Sequence, residues 1–130
     1  MMAKTIAEKL LIKPGDALSL GGGGPEDRAA LGDLPSGVVE AAPSEATVSV
    51  VFVRSRDELL SRFGSGLPAL SGARAVWFLY PKGGRADVNR DTFIREAGSY
   101  GWRPISNVAI DDVWSAVRVR PLADGEASVG

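Results

Sequence analysis

Histidine and cysteine are both absent from the 130 residues. That excludes a cysteine nucleophile, a serine–histidine dyad, imidazole acid–base chemistry and every zinc site built on Cys or His. Any catalysis would have to rest on Lys, Tyr, Ser, Thr, carboxylates or a cofactor. A metal would need oxygen ligands, which favours magnesium, manganese or calcium. Lack of cysteine fits a reducing compartment, and equally a secreted protein that needs no disulfides. Net charge is nearly absent too. Fifteen Lys and Arg against sixteen Asp and Glu leave a formal charge of −1, too little to draw in nucleic acid or membrane. Long apolar runs are missing: Glu8 and Lys9 interrupt the stretch 6–12, so no signal peptide is expected. Nothing approaches the ~20 apolar residues of a membrane span. The expected location is the cytoplasm, with neither nucleic acid nor membrane as partner.

What is present suffices for one core. A hydrophobic content of 45% over this length predicts a single domain over 1–122, followed by a disordered polar tail at 123–130. Thr5 and Glu8 have the spacing of a capping box, and Lys13-Pro14-Gly15 stops the short helix they begin. A strand at 17–20 runs into Gly21-Gly22-Gly23-Gly24, and Pro25 opens a second helix that should reach Leu34. Residues 38–41 read as a weak strand and 47–53 as a strong one. Ser55 or Asp57 caps a third helix carrying Leu59, Leu60 and Phe63, which Gly64, Gly66 and Pro68 should break. The stretch 75–81 is apolar on both faces, as in the middle of a parallel sheet. Asn89 caps a fourth helix with Phe93, Ile94, Ala97 and Tyr100 on one face, closed by a left-handed Gly101. A strand at 104–110, a turn at Asp111-Asp112 and an alternating strand at 114–120 complete the chain. The last strand should lie at an edge.

Strand–helix alternation implies right-handed parallel crossovers. The predicted fold is α/β: a small Rossmann-like three-layer sandwich with a mainly parallel sheet of order 2-1-3-4. A C-terminal antiparallel hairpin is appended and folds over the fourth helix.

Ligands in such sheets bind beyond the carboxyl ends of the parallel strands, where Gly21–Gly24, the 82–91 turn and Asp111-Asp112 should meet. The glycine run resembles a phosphate-binding turn, but Glu26 stands where a third fingerprint glycine belongs; Glu40 stands at a ribose-binding distance. A flexible loop is the plainer reading of the glycines, since lone glycine patterns often mislead. Lys82, Arg85 and Arg90 supply a point charge and two bidentate forks, and Gly83-Gly84 lets backbone amides approach an anion. Pairing with Asp87 and Asp91 is the plainer reading of the same charges. Asp111 and Asp112 should bond their own turn rather than a metal. Trp77 and Trp102 read as core, and Trp114 stands beside the aspartates.

The 80–92 stretch, Tyr-Pro-Lys-Gly-Gly-Arg-Ala-Asp-Val-Asn-Arg-Asp-Thr, and the 108–121 stretch with Asp-Asp-Val-Trp-Ser resemble a bacterial family known as a domain of unknown function, DUF3052. The opening Ala-Glu-Lys-Leu and Lys-Pro-Gly are similar to it as well. The resemblance covers most of 3–121 and marks Pro81, Lys82, Asp87, Asp111, Trp114 and Ser115 as motif positions. It implies no activity, and the four-glycine run departs from its pattern. Separately, 13–24 is similar to the first motif of S-adenosylmethionine-dependent methyltransferases, with Ser19-Leu20 where that family carries an acid.

The sequence therefore predicts a small binding or regulatory module. Its ligand-binding edge comprises Lys82, Gly83, Arg85, Asp87, Arg90, Asp111 and Trp114, with no metal, no specified cofactor and no assigned catalytic residue. A nucleotide, a phosphate, a carboxylate or an acidic protein surface would suit it. The alternative is a degenerate methyltransferase-like enzyme.

Overall fold

A computed structural model describes residues 5–70, 72–82 and 88–122, without the side chains of 65–69 and 90. The tail at 123–130 lies outside these. Helix α1 (Ile6–Lys9) opens with the expected reciprocal cap: Glu8 N–H donates to Thr5 Oγ1 and Thr5 N–H to Glu8 Oε1, both at 3.1 Å. Then come β1 (Ala17–Gly21), α2 (Pro25–Ala29), β2 (Val39–Glu40), β3 (Val48–Phe52), α3 (Arg56–Leu70) and β4 (Ala75–Pro81). Helix α4 (Arg90–Ala97) and the hairpin of β5 (Trp102–Ala109) and β6 (Trp114–Pro121) follow.

The sheet order is β2-β1-β3-β4-β6-β5. Strands β2, β1, β3 and β4 are parallel, and β6 joins antiparallel to both β4 and β5. The expected 2-1-3-4 order is present, but the hairpin enters through its second strand, so β5 forms the edge and β6 is interior. The alternation in β6 misled because it records unequal cover rather than an open side: Trp114, Ala116, Val117 and Val119 are all buried.

Strand alternation divides the core between two faces. Val51, Val53, Val76, Phe78 and Tyr80 pack against Leu59, Phe63 and Leu70 of α3 and Phe93 and Ala97 of α4. Val48, Val50, Phe52, Trp77 and Leu79 pack on the other face against Ala7 of α1 and Leu10 just past its end, with Ile12 and Leu31. Trp77 Nε1 donates to Leu10 O at 2.8 Å and so ties the end of α1 to β4. Among the described residues no helix is long and apolar enough to cross a membrane.

Three further boundaries differ from expectation. Helix α2 ends at Ala29 rather than Leu34, because Gly32 turns the chain at φ 70° and sends Leu31 into the core. Helix α3 continues through Gly64 and Pro68, and this carries Leu70 into the cluster that holds Phe63 seven residues earlier. Burial of a second helical face-mate outweighs local propensity, as tertiary context often does. Strand β5 starts at Trp102, directly after the left-handed Gly101 (φ 78°).

Candidate functional site

The carboxyl ends of β1, β3 and β4 define one edge, and the turn from β5 into β6 reaches it because β5 runs parallel to β4 on the far side of β6. Lys82, the first residue beyond β4, is half-buried, and its N–H donates to Val113 O at 2.9 Å. Pro81 is the register partner of Trp114, and Tyr80 that of Ser115. Lys82, Asp111 and Trp114 thus share one corner. Gly83, Arg85 and Asp87 lie outside the described residues, as does the side chain of Arg90, whose backbone opens α4.

Asp111 is committed to its own turn. Its Oδ1 accepts from the N–H groups of Val113 and Trp114, each at 2.8 Å. Trp114 is buried to 3% exposure and meets Phe52 edge to face at 5.2 Å. It belongs to the α1 face, not beneath α4 as expected, because its place at the start of β6 aligns it with Leu79 and Ala116. The described residues hold no cluster of three carboxylates able to bind a metal ion.

The edge also contains residues that the sequence did not single out. Arg54, two positions past β3, stands with its Cζ 5.0 Å from the Trp114 ring centre. Its guanidinium forks onto Asp27 of α2, with Nη1 2.6 Å from Oδ2 and Nη2 on Oδ1. Asp27 Oδ2 also accepts from Gly24 N–H at 3.0 Å. The Arg54 contact holds the Asp27 carboxyl below the ordinary carboxylate range, against the opposing effect of its burial, and raises the Arg54 guanidinium in turn. Carboxyl-end position was the available signal: the rule that pointed to the ends of β1, β4 and β5 applies to β3 as well.

The glycine run is built rather than slack. At Gly22 (φ 66°) a Cβ would stand 2.3 Å from Phe52 O, and at Gly23 (φ 65°) 3.0 Å from the Asp27 side chain. The loop therefore lies directly on the end of β3. Arg62, exposed on α3, reaches back over it: Nη1 and Nη2 lie 3.7 and 3.4 Å from the Cβ positions of residues 21 and 22. Among the described residues no ion pair engages Arg62, and no hydrogen bond takes the N–H of Gly22 or Gly23. Glu40, at the end of β2, stands 3.7 Å from Arg28. Because β1 has β2 on one side and β3 on the other, this loop lies at the point where the strand order reverses, the usual ligand position in open α/β sheets.

The sheet topology defines the class: a small Rossmann-like α/β domain. The chain is similar to a protein of the NADB-Rossmann superfamily from Streptococcus agalactiae, with a TM-score of 0.55 and 7% identity over 94% of this chain and 70% of that one. It is similar to a putative tRNA (m1A22) methyltransferase from Streptococcus pneumoniae, solved with S-adenosyl-L-methionine (TM-score 0.51, 11% identity, 94% and 74% covered). A third similar structure is the B. subtilis m1A22 tRNA methyltransferase (TM-score 0.54, 10% identity, 98% and 71% covered). No protein-family model and no curated protein matches the chain. At these identities the likeness is one of fold.

Proposed function

We propose that the protein is a non-catalytic binding or regulatory module that takes a small anion, a phosphate or carboxylate group alone or on a nucleotide, at the carboxyl edge of its sheet. The observation that carries this reading is the placement of two cations, Arg62 over the glycine loop and Lys82 beside the β5–β6 turn. Neither has an acidic partner among the described residues. Two carboxylates of this edge are already engaged, Asp27 by Arg54 and Asp111 by its own turn. A cation beside glycine amides that have no internal acceptor attracts an oxyanion. On the same reading the chain is a member of the DUF3052 family, and of its motif positions Pro81, Lys82, Asp111, Trp114 and Ser115 would serve one corner, Asp87 lying outside the described residues.

A second reading, a methyltransferase-like cofactor site, draws on the glycine loop at the strand reversal, with Glu40 on the neighbouring strand. One similar structure was solved with S-adenosyl-L-methionine. Against it, Ser19 and Leu20 provide no acid at the end of β1, and Glu40 faces Arg28.

Calorimetric titration with inorganic phosphate, nucleotides, small carboxylates and S-adenosylmethionine separates the readings. The anion reading expects a phosphate- or carboxylate-bearing ligand to bind. Arg62→Ala or Lys82→Ala should weaken it about ten- to hundredfold, the worth of a charge-assisted hydrogen bond. If S-adenosylmethionine alone binds, the cofactor reading replaces it. If nothing binds, both are wrong.

A further inference from the structure

We propose that Asp27 is an intramolecular competitor for the anion, so that an external phosphate or carboxylate engages Arg54 only by displacing it. This rests on the anion-binding reading and names the residue that sets its strength. A guanidinium fork and a backbone amide are the donors with which proteins hold oxyanions. Here both converge on one internal carboxylate, from Arg54 Nη1 at 2.6 Å and from Gly24 N–H at 3.0 Å.

The two partners are anchored unequally. Asp27 sits on a five-residue helix with no buried residue. Arg54 has contacts of its own besides Asp27. Its own N–H donates to Glu58 Oε1 at 3.0 Å, and its guanidinium rests against Trp114, which is itself locked on Phe52. If the carboxylate leaves, the cation stays. The pair is also open from the cation's side, since the Arg54 side chain is 54% exposed and that of Asp27 13%. An incoming oxyanion therefore meets the guanidinium first and takes over a fork already aimed and held.

The opposing account is that the pair merely fastens the glycine loop to β3. Asp27→Asn distinguishes them, because asparagine keeps an oxygen for Gly24 N–H and removes the charge. A competitor predicts that Asp27→Asn binds inorganic phosphate about ten- to hundredfold more tightly than wild type, the loss of one charge-assisted rival. The gain should vanish in Asp27→Asn/Arg54→Gln, and Asp27→Glu should bind as wild type does. If Asp27→Asn remains folded by circular dichroism and binds phosphate no more tightly, the proposal is wrong. Should Asp27→Asn not fold, Asp27→Ser is read by the same criterion. Wild-type phosphate binding that depends on Arg62 but ignores Asp27 would overturn this proposal alone. Absence of binding in wild type and every variant would overturn the anion reading with it.

Discussion

Trp114 and Asp112 are two residues apart and differ in almost every physical respect. The indole is buried, meeting Phe52 edge to face with the Arg54 guanidinium over its ring, whereas Asp112 is exposed in the turn. Truncating a buried tryptophan removes both transfer free energy and packing, so Trp114→Ala should cost about 3–5 kcal/mol. Asp112→Ala should stay within about 0.5 kcal/mol, as surface changes do. Denaturant melts of the two variants check this, and a reversed order would mean that the indole is free in solution. Lys82 is a third case. Its N–H bond to Val113 O survives truncation and its ammonium has no partner among the described residues. Lys82→Ala should therefore shift stability by less than about 1 kcal/mol, even as it weakens anion binding. A large loss of stability in the same melts would show that Lys82 works inside the fold.

At the level of elements, the β1–α2 loop is the connection whose glycines have distinct duties. Gly22 is left-handed and its missing Cβ makes room for Phe52 O at 2.3 Å, while Gly24 (φ −109°) has nothing within 4 Å of that position. Gly22→Ala should destabilise by more than the ~1–2 kcal/mol cost of the left-handed region, because the strand end must also move. Gly24→Ala should cost little by comparison. Thermal melts that rank the two equally would mean that the loop does not rest on β3. Which glycine mattered could not be read from four identical letters, since the reason is a strand 30 residues away. The parallel strands were legible because β3 is a strong β-branched run and β4 is apolar on both faces, and the caps at Thr5, Ser55 and Asn89 because their partners lie three residues on. The extent of α3 was not, because Leu70 gains its burial from strands elsewhere in the chain. That Lys82 and Asp111 lie at the same end of the sheet was legible through strand order, whereas the face taken by Trp114 was not, because it depends on the register of β6 on β4. Arg54 with Asp27 was not, being a pair that only the β1–β3 adjacency brings together.

Across the whole molecule, β1 is clamped at both ends by a carboxylate and a guanidinium. At its carboxyl end is Asp27 with Arg54. At its amino end Asp16 accepts from Arg74 at 3.0 and 2.6 Å, from Thr47 Oγ1 at 3.0 Å and from Lys13 N–H at 2.7 Å. Arg74 also donates to Leu11 O at 2.8 Å, holding that carbonyl where Leu11 adopts φ 63°. The Arg74 contact, helped by the other donors against the cost of burial, depresses the Asp16 carboxyl far below the usual range, and Asp27 is lowered by Arg54. A carboxylate whose pKa falls on folding adds stability that is full above its unfolded pKa, about 3.9. That stability is lost as pH drops from there towards the folded value. Urea midpoints should therefore hold steady from neutrality to about pH 5 and decline below about pH 4. Asp16→Asn should be less stable at neutral pH yet show a shallower acid decline, because its amide has no proton to take up. Asp27→Asn should flatten the same limb by a smaller amount, its carboxyl being the less strongly shifted, and the double variant should be flattest. An Asp16→Asn protein whose acid limb runs parallel to wild type would mean that the amino-end clamp is not what acid breaks.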